Sequence, residues 1–298
     1  MQPPGNPDLM EIPGRGPIHA SRETDHVTKV AINHRNARRA MRALLQTSAA
    51  ALLFVAGLEA PLAQQQAAPK VAAALDAKAI EALSAMGKYL RSLKSFTVHA
   101  DTTIDEVLTT GQKLQFAGTL DYSVQQPNRL RAEVNTDRRH RQFFYDGKTL
   151  TQYAPRMKYY ATVAAPGTIG EALQVVDQKY DLEIPLADLF LWGTDKSGIE
   201  DIKDATLIGP ARIAGKDCDH YAYRQANVDW QVWIQRGAQP LPCKMVITTT
   251  DEPSQPQYTA VLQWDLAPKL GNAAVAFVPP KDAKQIGIAP FSPSATKN

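Results

Sequence analysis

Apolar residues recur at Ala72, Leu75, Ala79, Leu83, Met86, Leu90 and Leu93, in steps of three and four. That spacing lays one apolar stripe along an amphipathic helix. After Lys94 the period drops to two: Phe96, Val98, Ala100, Thr102 and Ile104 form one set, and Leu114, Phe116, Gly118, Leu120, Tyr122 and Val124 the next. With Thr109-Thr110-Gly111 between them, they predict a hairpin with one apolar face. A second pair, 130–134 and 140–144, turns near Asp137. It is expected to hold Leu130, Ala132, Val134 and Phe144 on one side and Arg129, Arg131, Glu133 and Arg141 on the other. Such a sheet has one buried and one wet face.

Asp146-Gly147 is a hairpin turn signal leading to strands over 149–153 and 159–163. At Thr168 the period returns to helical, with Glu171 three residues on, as in a capping box. Helical segments are expected to continue through Pro185–Trp192 and Ile199–Ala205. Strands resume at Thr206. Late in this run both parities become apolar, with Trp230, Val232 and Ile234 against Trp233, then Met245 and Ile247 against Val246. Strands of that kind are covered on both faces for part of their length. The pattern is mainly β with helices (α+β): ten or eleven antiparallel strands in a strongly curved sheet around an N-terminal helix and a central helical insert.

The first 63 residues have a different character. Residues 1–40 mix Pro, Gly and charge with no period, and read as disordered or as a mis-assigned upstream extension with Met41 the true start. Residues 41–63 have the form of a secretory signal: Arg42 beside Arg38 and Arg39, an apolar run from Ala43 to Leu58, then small residues. Gln46, Thr47 and Ser48 interrupt that run, leaving roughly ten strongly apolar residues where a membrane span needs ~20. Cleavage is expected near Ala63, with Ala60 the alternative because Pro61 fits poorly, so no stable membrane span is expected in the exported chain. No Cys follows to carry an acyl anchor. Residues 64–74 read as a linker, 75–290 as one domain and 291–298 as a flexible tail.

Removing the leader takes 7 of 33 Lys and Arg and 5 of 30 Asp and Glu, leaving 26 basic against 25 acidic side chains. The basicity belongs to the leader, and the dense basic face of a nucleic-acid partner is missing. Two cysteines, Cys218 and Cys243, face an oxidising compartment. In a plain three-strand meander they lie in one row but two strands apart, roughly 9–10 Å. A disulfide wants Cα atoms ~4.4–6.8 Å apart. A strongly curled sheet or another strand order closes that gap, so the pairing stays open.

Catalytic signals are weak. Cys218-Asp219-His220 with Cys243 suggests zinc, but the short ligand spacings of a metal site are missing. No G-x-S-x-G is present. After the leader only His99, His140 and His220 remain as bases, each within a strand pattern. Asp229, Gln231 and Trp233 share one strand face, read either as a polar rim or as an outer face whose Trp packs on a neighbour. The basic set Arg129, Arg131, Arg138, Arg139 and Arg141 reads as a solvated hairpin face or as a contact for anionic headgroups.

The segments YDGKTLTQY (145–153), KYYATVAAPGTIGEAL (158–173), IPLADLF (184–190), CDHYAYRQANVDWQVWIQ (218–235) and PLPCKMVIT (240–248) resemble a family of predicted periplasmic proteins, a domain of unknown function. The likeness runs from about residue 75 to 290. That family is similar in fold to the periplasmic lipoprotein carriers LolA and LolB and to the lipid-sensing domain of RseB. The resemblance implies an incomplete β-barrel whose concave face, lidded by helices, accepts acyl chains.

Hydrophobic cargo is the functional expectation on both grounds. Phe96, Val98, Phe116, Leu120, Phe144, Trp230, Val232, Leu262 and Trp264 are expected to line an apolar concavity, which is either an open cavity or a filled core. The reading is a non-enzymatic, cofactor-free periplasmic carrier or chaperone for a lipid, lipoprotein acyl chain or other hydrophobic small molecule. An envelope sensor or scaffold with a protein partner is the alternative, and a hydrolase or metal enzyme the last.

Overall fold

The structure, a computed structural model, describes residues 75–165 and 167–291. The expected signal, the stretch before it, the linker and residues 292–298 lie outside the described residues.

Asp76 caps the first helix, α1 (Ala77–Ser92), its carboxylate accepting from the Lys78 N–H at 2.8 Å. The predicted stripe buries Ala79, Leu83, Met86 and Leu90, while Leu75 precedes the cap and is exposed. Six strands follow: β1 (Ser95–Val107), β2 (Lys113–Gln125), β3 (Arg129–Thr136), β4 (His140–Tyr145), β5 (Thr149–Ala154) and β6 (Tyr159–Ala164). Then come α2 (Ile169–Tyr180) and 3-10 turns at Ala187–Phe190 and Ile199–Asp201. Five more strands complete the main sheet: β7 (Asp204–Ile213), β8 (Lys216–Arg224), β9 (Val228–Gln235), β10 (Pro242–Thr249) and β11 (Gln257–Asp265).

Each group of strands is an antiparallel meander, and β1 pairs with β11 to join the two into one sheet. A short β12 (Lys284–Gln285) pairs parallel with β6, a strand not foreseen in the pattern. The twelve-stranded order is β12-β6-β5-β4-β3-β2-β1-β11-β10-β9-β8-β7, so the ends do not meet and the barrel is incomplete. β12 shields the β6 edge. At the other end Leu75 bridges to Ala205 on β7, which also carries the edge-compatible Pro210.

The central insert is less helical than expected. α2 has both halves of its capping box, Thr168 Oγ1 accepting from Glu171 N and Glu171 Oε2 from Thr168 N. Beyond it, Leu186 (φ 60°) and Gly198 (φ 66°) take left-handed backbone and allow only 3-10 turns, and Ala205 is already in β7.

A second correction concerns β4. The connection Thr136–Arg139 closes with Thr136 N donating to Arg139 O at 2.7 Å, and pairs Val134 with Arg141 and Arg131 with Phe144. Arg141 therefore shares a face with the apolar residues of β3, and Phe144 lies opposite. A shift of one residue in register exchanges the two faces of a whole strand.

The insert is bolted to α1. A Cβ added at Gly87 would stand 2.5 Å from the Gly193 nitrogen, so two glycines let helix and insert backbones touch. Gly193 also needs its φ of 81°. Beside them the Arg91 guanidinium donates to the Leu189 and Phe190 carbonyls at 2.5 and 2.9 Å.

The cysteines sit on the outer face in a small cluster with Trp233. The meander order is as expected, with β9 between their strands. A bulge between Pro242 and Lys244 turns Cys243 outward just where β9 ends, and its Sγ lies 2.6 Å from Cys218 Sγ. Burial pushes the Cys218 thiol up, and burial followed by the contact with Cys218 pushes Cys243 up to about 12.

Two outcomes are expected. Gly87→Ala should destabilise by about 1–3 kcal/mol in urea unfolding, because neither backbone can retreat. Protein folded under oxidising conditions should weigh two hydrogens less than its reduced form by intact mass. Replacing both cysteines by serine should then cost about 3 kcal/mol; a mass unchanged by reduction would show two buried thiols instead.

Candidate functional site

Most of the concave face is filled. Phe96 stacks on Phe190 at 6.5 Å, Tyr122 meets Phe190 edge-on at 5.4 Å, and Trp192 stacks on Trp230 at 6.0 Å. Three polar tips tie this packing down: the Tyr223 hydroxyl donates to Ala79 O at 2.8 Å, the Tyr122 hydroxyl to Pro185 O at 2.5 Å, and the Trp230 indole to Gln225 at 3.2 Å. Buried aromatics of this kind combine large apolar area with one polar handle that must be satisfied.

The predicted apolar set divides accordingly. Phe96, Val98, Trp230, Val232 and Leu262 lie in the filled part, each at most 2% exposed. Trp264 is half-buried at its margin, tilted against Phe96 at 5.4 Å with its indole N–H on Pro242 O at 2.9 Å. Phe144 lies on the outer face, packed on Phe277 at 5.2 Å and under the Arg131 guanidinium. Phe116 and Leu120 line open space.

That space is a cavity of about 120 Å³ at the end of the concave face where α1 no longer reaches. Its floor is built by β1 to β4 and β11 through Ile104, Phe116, Leu120, Val134, Phe143 and the ring of Tyr258, and Pro185 of the insert covers it. The strand register explains the grouping. Tyr258 pairs with Ile104, Ile104 with Phe116, Leu120 with Val134, so the floor is a patch of adjacent concave-side positions. Thr102, Thr136 and Arg141 occupy the same side and mark where the dry core stops.

The rim is charged, with Arg138, Arg139 and Arg141 beside Glu106 and Glu183. Arg138 closes an ion pair on Glu106 and lies over the Phe116 ring at 5.3 Å. The Arg141 guanidinium donates to His140 O at 3.1 Å. Tyr258 is 5% exposed, and among the described residues its hydroxyl has no hydrogen-bond partner. Burial, then the Glu183 carboxylate, pushes the pKa of that phenol well above its ordinary value, so it stays protonated as a donor. Ile104 and Val134 were read in the sequence only as strand-face positions, and Phe143, Tyr258 and Glu183 were not named as site residues; the break in the apolar run at Thr102 and Thr136 was the signal available.

The five arginines of the β3–β4 hairpin separate. Arg138, Arg139 and Arg141 face the cavity, whereas Arg129 is exposed at the start of β3 and Arg131 is on the outer face, paired with Glu133 at 2.6 Å. The other constellations satisfy themselves. Arg224 holds Asp229 through two bonds of 2.7 and 2.6 Å, His220 bonds Gln231 at 2.9 Å, and Trp233 stacks on His220 at 3.9 Å under Lys244. Asp219 points away from Cys218 and His220 and pairs with Arg236 at 2.5 Å. Among the described residues no group of three or more His, Cys, Asp and Glu is placed to hold a metal ion. Two other depressions, beside Arg156 on the outer sheet and beside α2, are open to solvent.

A comparison with curated proteins finds no match. Among solved structures the chain is similar to LprF from Mycobacterium bovis, at 14% identity and a TM-score of 0.41, covering 70% of this chain and 99% of that one. It is also similar to the lipoprotein LppX from Mycobacterium tuberculosis, at 12% identity and a TM-score of 0.41, covering 66% and 100%. A third is the MucA/MucB complex from Pseudomonas aeruginosa, at 18% identity and a TM-score of 0.37, covering 68% of this chain and 64% of the other. Among the described residues no helix is long and apolar enough to cross a membrane. The family model described as "Predicted periplasmic protein (DUF2092)" matches residues 79–289, well over half of the chain, and the protein belongs to that family.

Proposed function

We propose that this protein is a non-enzymatic periplasmic carrier that holds an apolar ligand, such as a lipid or a lipoprotein acyl chain, on the concave face of its incomplete barrel. The single observation that carries the reading is the cavity between the sheet and the insert. Its floor is apolar, its polar groups are confined to one end, and it lies at the mouth of a barrel, as small-molecule sites do.

Volume decides how it would work. About 120 Å³ is less than the roughly 150 Å³ engineered void that accepts benzene. Carrier pockets for whole ligands span roughly 300–1,000 Å³. An acyl chain therefore enters only if the 181–203 insert lifts, exchanging the Tyr122 to Pro185 bond and aromatic contacts for contacts with cargo. The closed form keeps the same surfaces dry when no ligand is present. On this reading the exported chain starts near Gln64 and diffuses freely.

Native mass spectrometry of protein exported to the periplasm tests the carrier reading. A co-purifying lipid, or displacement of a fluorescent fatty acid, is expected; ligand-free protein that recovers an envelope protein instead would replace it with a scaffold role. Val134→Phe, which adds bulk at the half-buried edge of the cavity, should abolish probe binding while leaving the unfolding midpoint close to that of the parent protein. The mature N-terminus read by mass spectrometry should fall near Gln64, and a chain still beginning at Met1 would contradict export.

A further inference from the structure

Three buried phenols of this fold each find an acceptor. Tyr122 donates to Pro185 O, Tyr145 to Gly167 O and Tyr223 to Ala79 O. Tyr258 does not. Among the described residues four buried side-chain polar atoms lack a hydrogen-bond partner, and of these only the Tyr258 hydroxyl belongs to a residue of the cavity lining. The residue is 5% exposed, and its neighbours along the concave side of β11, Ala260 and Leu262, are apolar. A phenylalanine would keep the same ring contacts with no donor to desolvate. Tyrosine here stabilises nothing in the closed form, but its hydroxyl would bond an acceptor brought in by a ligand.

The charged groups of the rim are already engaged. Arg138 pairs with Glu106, Arg141 donates to His140 O, and Arg139 and Glu183 have partners too. A charged head entering here would be buried without a free counter-charge, which costs far more than burying a hydrogen-bonded carbonyl. What the cavity offers a ligand is therefore an apolar floor and one protonated phenol, set beneath Glu183 and Pro185 of the insert.

We infer that the cavity takes the carbonyl end of an uncharged acyl group, an ester or an amide, with its carbonyl oxygen accepting from the Tyr258 hydroxyl and its chain along Leu120, Val134 and Phe143. This assignment rests on the carrier reading and narrows it. A carbonyl carries no proton and can only accept, which suits a phenol that donates. Plain hydrocarbon would fill the floor and leave the hydroxyl unpaired. Ester and amide share the acceptor, and the two are separated by titration.

Calorimetric titration of the full exported protein and of its Tyr258→Phe variant with methyl octanoate, N-methyloctanamide, octanoate and heptane tests it. Tyr258→Phe should weaken the ester, the amide or both by roughly three- to tenfold, the size of one neutral hydrogen bond, and leave heptane unchanged. Whichever carbonyl compound loses more identifies the linkage. Octanoate should bind more weakly than its methyl ester at pH 7. The variant should melt at the same temperature as the parent protein or higher, because no bond is lost in the closed form. A lower melting temperature would show that the hydroxyl is already bonded, and would overturn the assignment. Carbonyl compounds indifferent to Tyr258→Phe, or octanoate tighter than the ester, would also overturn it and leave the carrier reading standing. If none of the four binds, the carrier reading fails and this assignment with it.

Discussion

An antiparallel sheet that curves without closing has a concave apolar face that its own strands cannot bury, and the rest of this molecule answers to that constraint. α1 and the 181–203 insert cover the concavity together, and neither covers it alone. Their joint is the contact of Gly87 with Gly193, flanked by the Arg91 guanidinium on the Leu189 and Phe190 carbonyls. Because the backbones touch there, Phe190 and Trp192 reach down onto Phe96 and Trp230, and a dry aromatic core forms where a barrel would otherwise be hollow.

Cover is incomplete at one end. α1 is sixteen residues long and stops short of the Ile104, Phe116 and Tyr258 row, so only Glu183 and Pro185 of the insert stand over it. The small cavity follows from that shortfall. Its asymmetry, apolar below and charged above, arises where two of the sheet's strands pass from core to hairpin turn. The glycine contact and the arginine clamp hold the insert to α1, and over the cavity the Tyr122 hydroxyl ties it to the sheet.

The outer face is organised differently. Its polar side chains are paired across neighbouring strands, Arg224 with Asp229, His220 with Gln231, Gln142 with Glu133. Trp233 lies flat between His220 and Lys244. On this face Arg131 Nε, and inside it the Tyr258 hydroxyl, are buried with no hydrogen-bond partner among the described residues. The C-terminal segment adds Phe277 against Phe144, Tyr153 and Tyr160, which closes the outer side of β4 to β6.

Much of the architecture was legible in periodicity alone. Steps of three and four located α1, alternation located β1 to β3, and Thr168 with Glu171 located the start of α2, because these signals depend only on neighbours in the chain. Phe144 and Arg141 were exchanged because the face a strand presents depends on the length of one turn, and Thr136–Arg139 shifts the pairing by a residue. The distance between Cys218 and Cys243 was overestimated because a single bulged residue, invisible as a pattern, carries Cys243 past the end of β9. Apolar residue types build both the filled core at Trp230 and the open floor at Phe116. Which of the two results depends on how far α1 and the insert reach across the sheet. That reach is set by contacts between segments about a hundred residues apart, and only the tertiary structure fixes the space they leave.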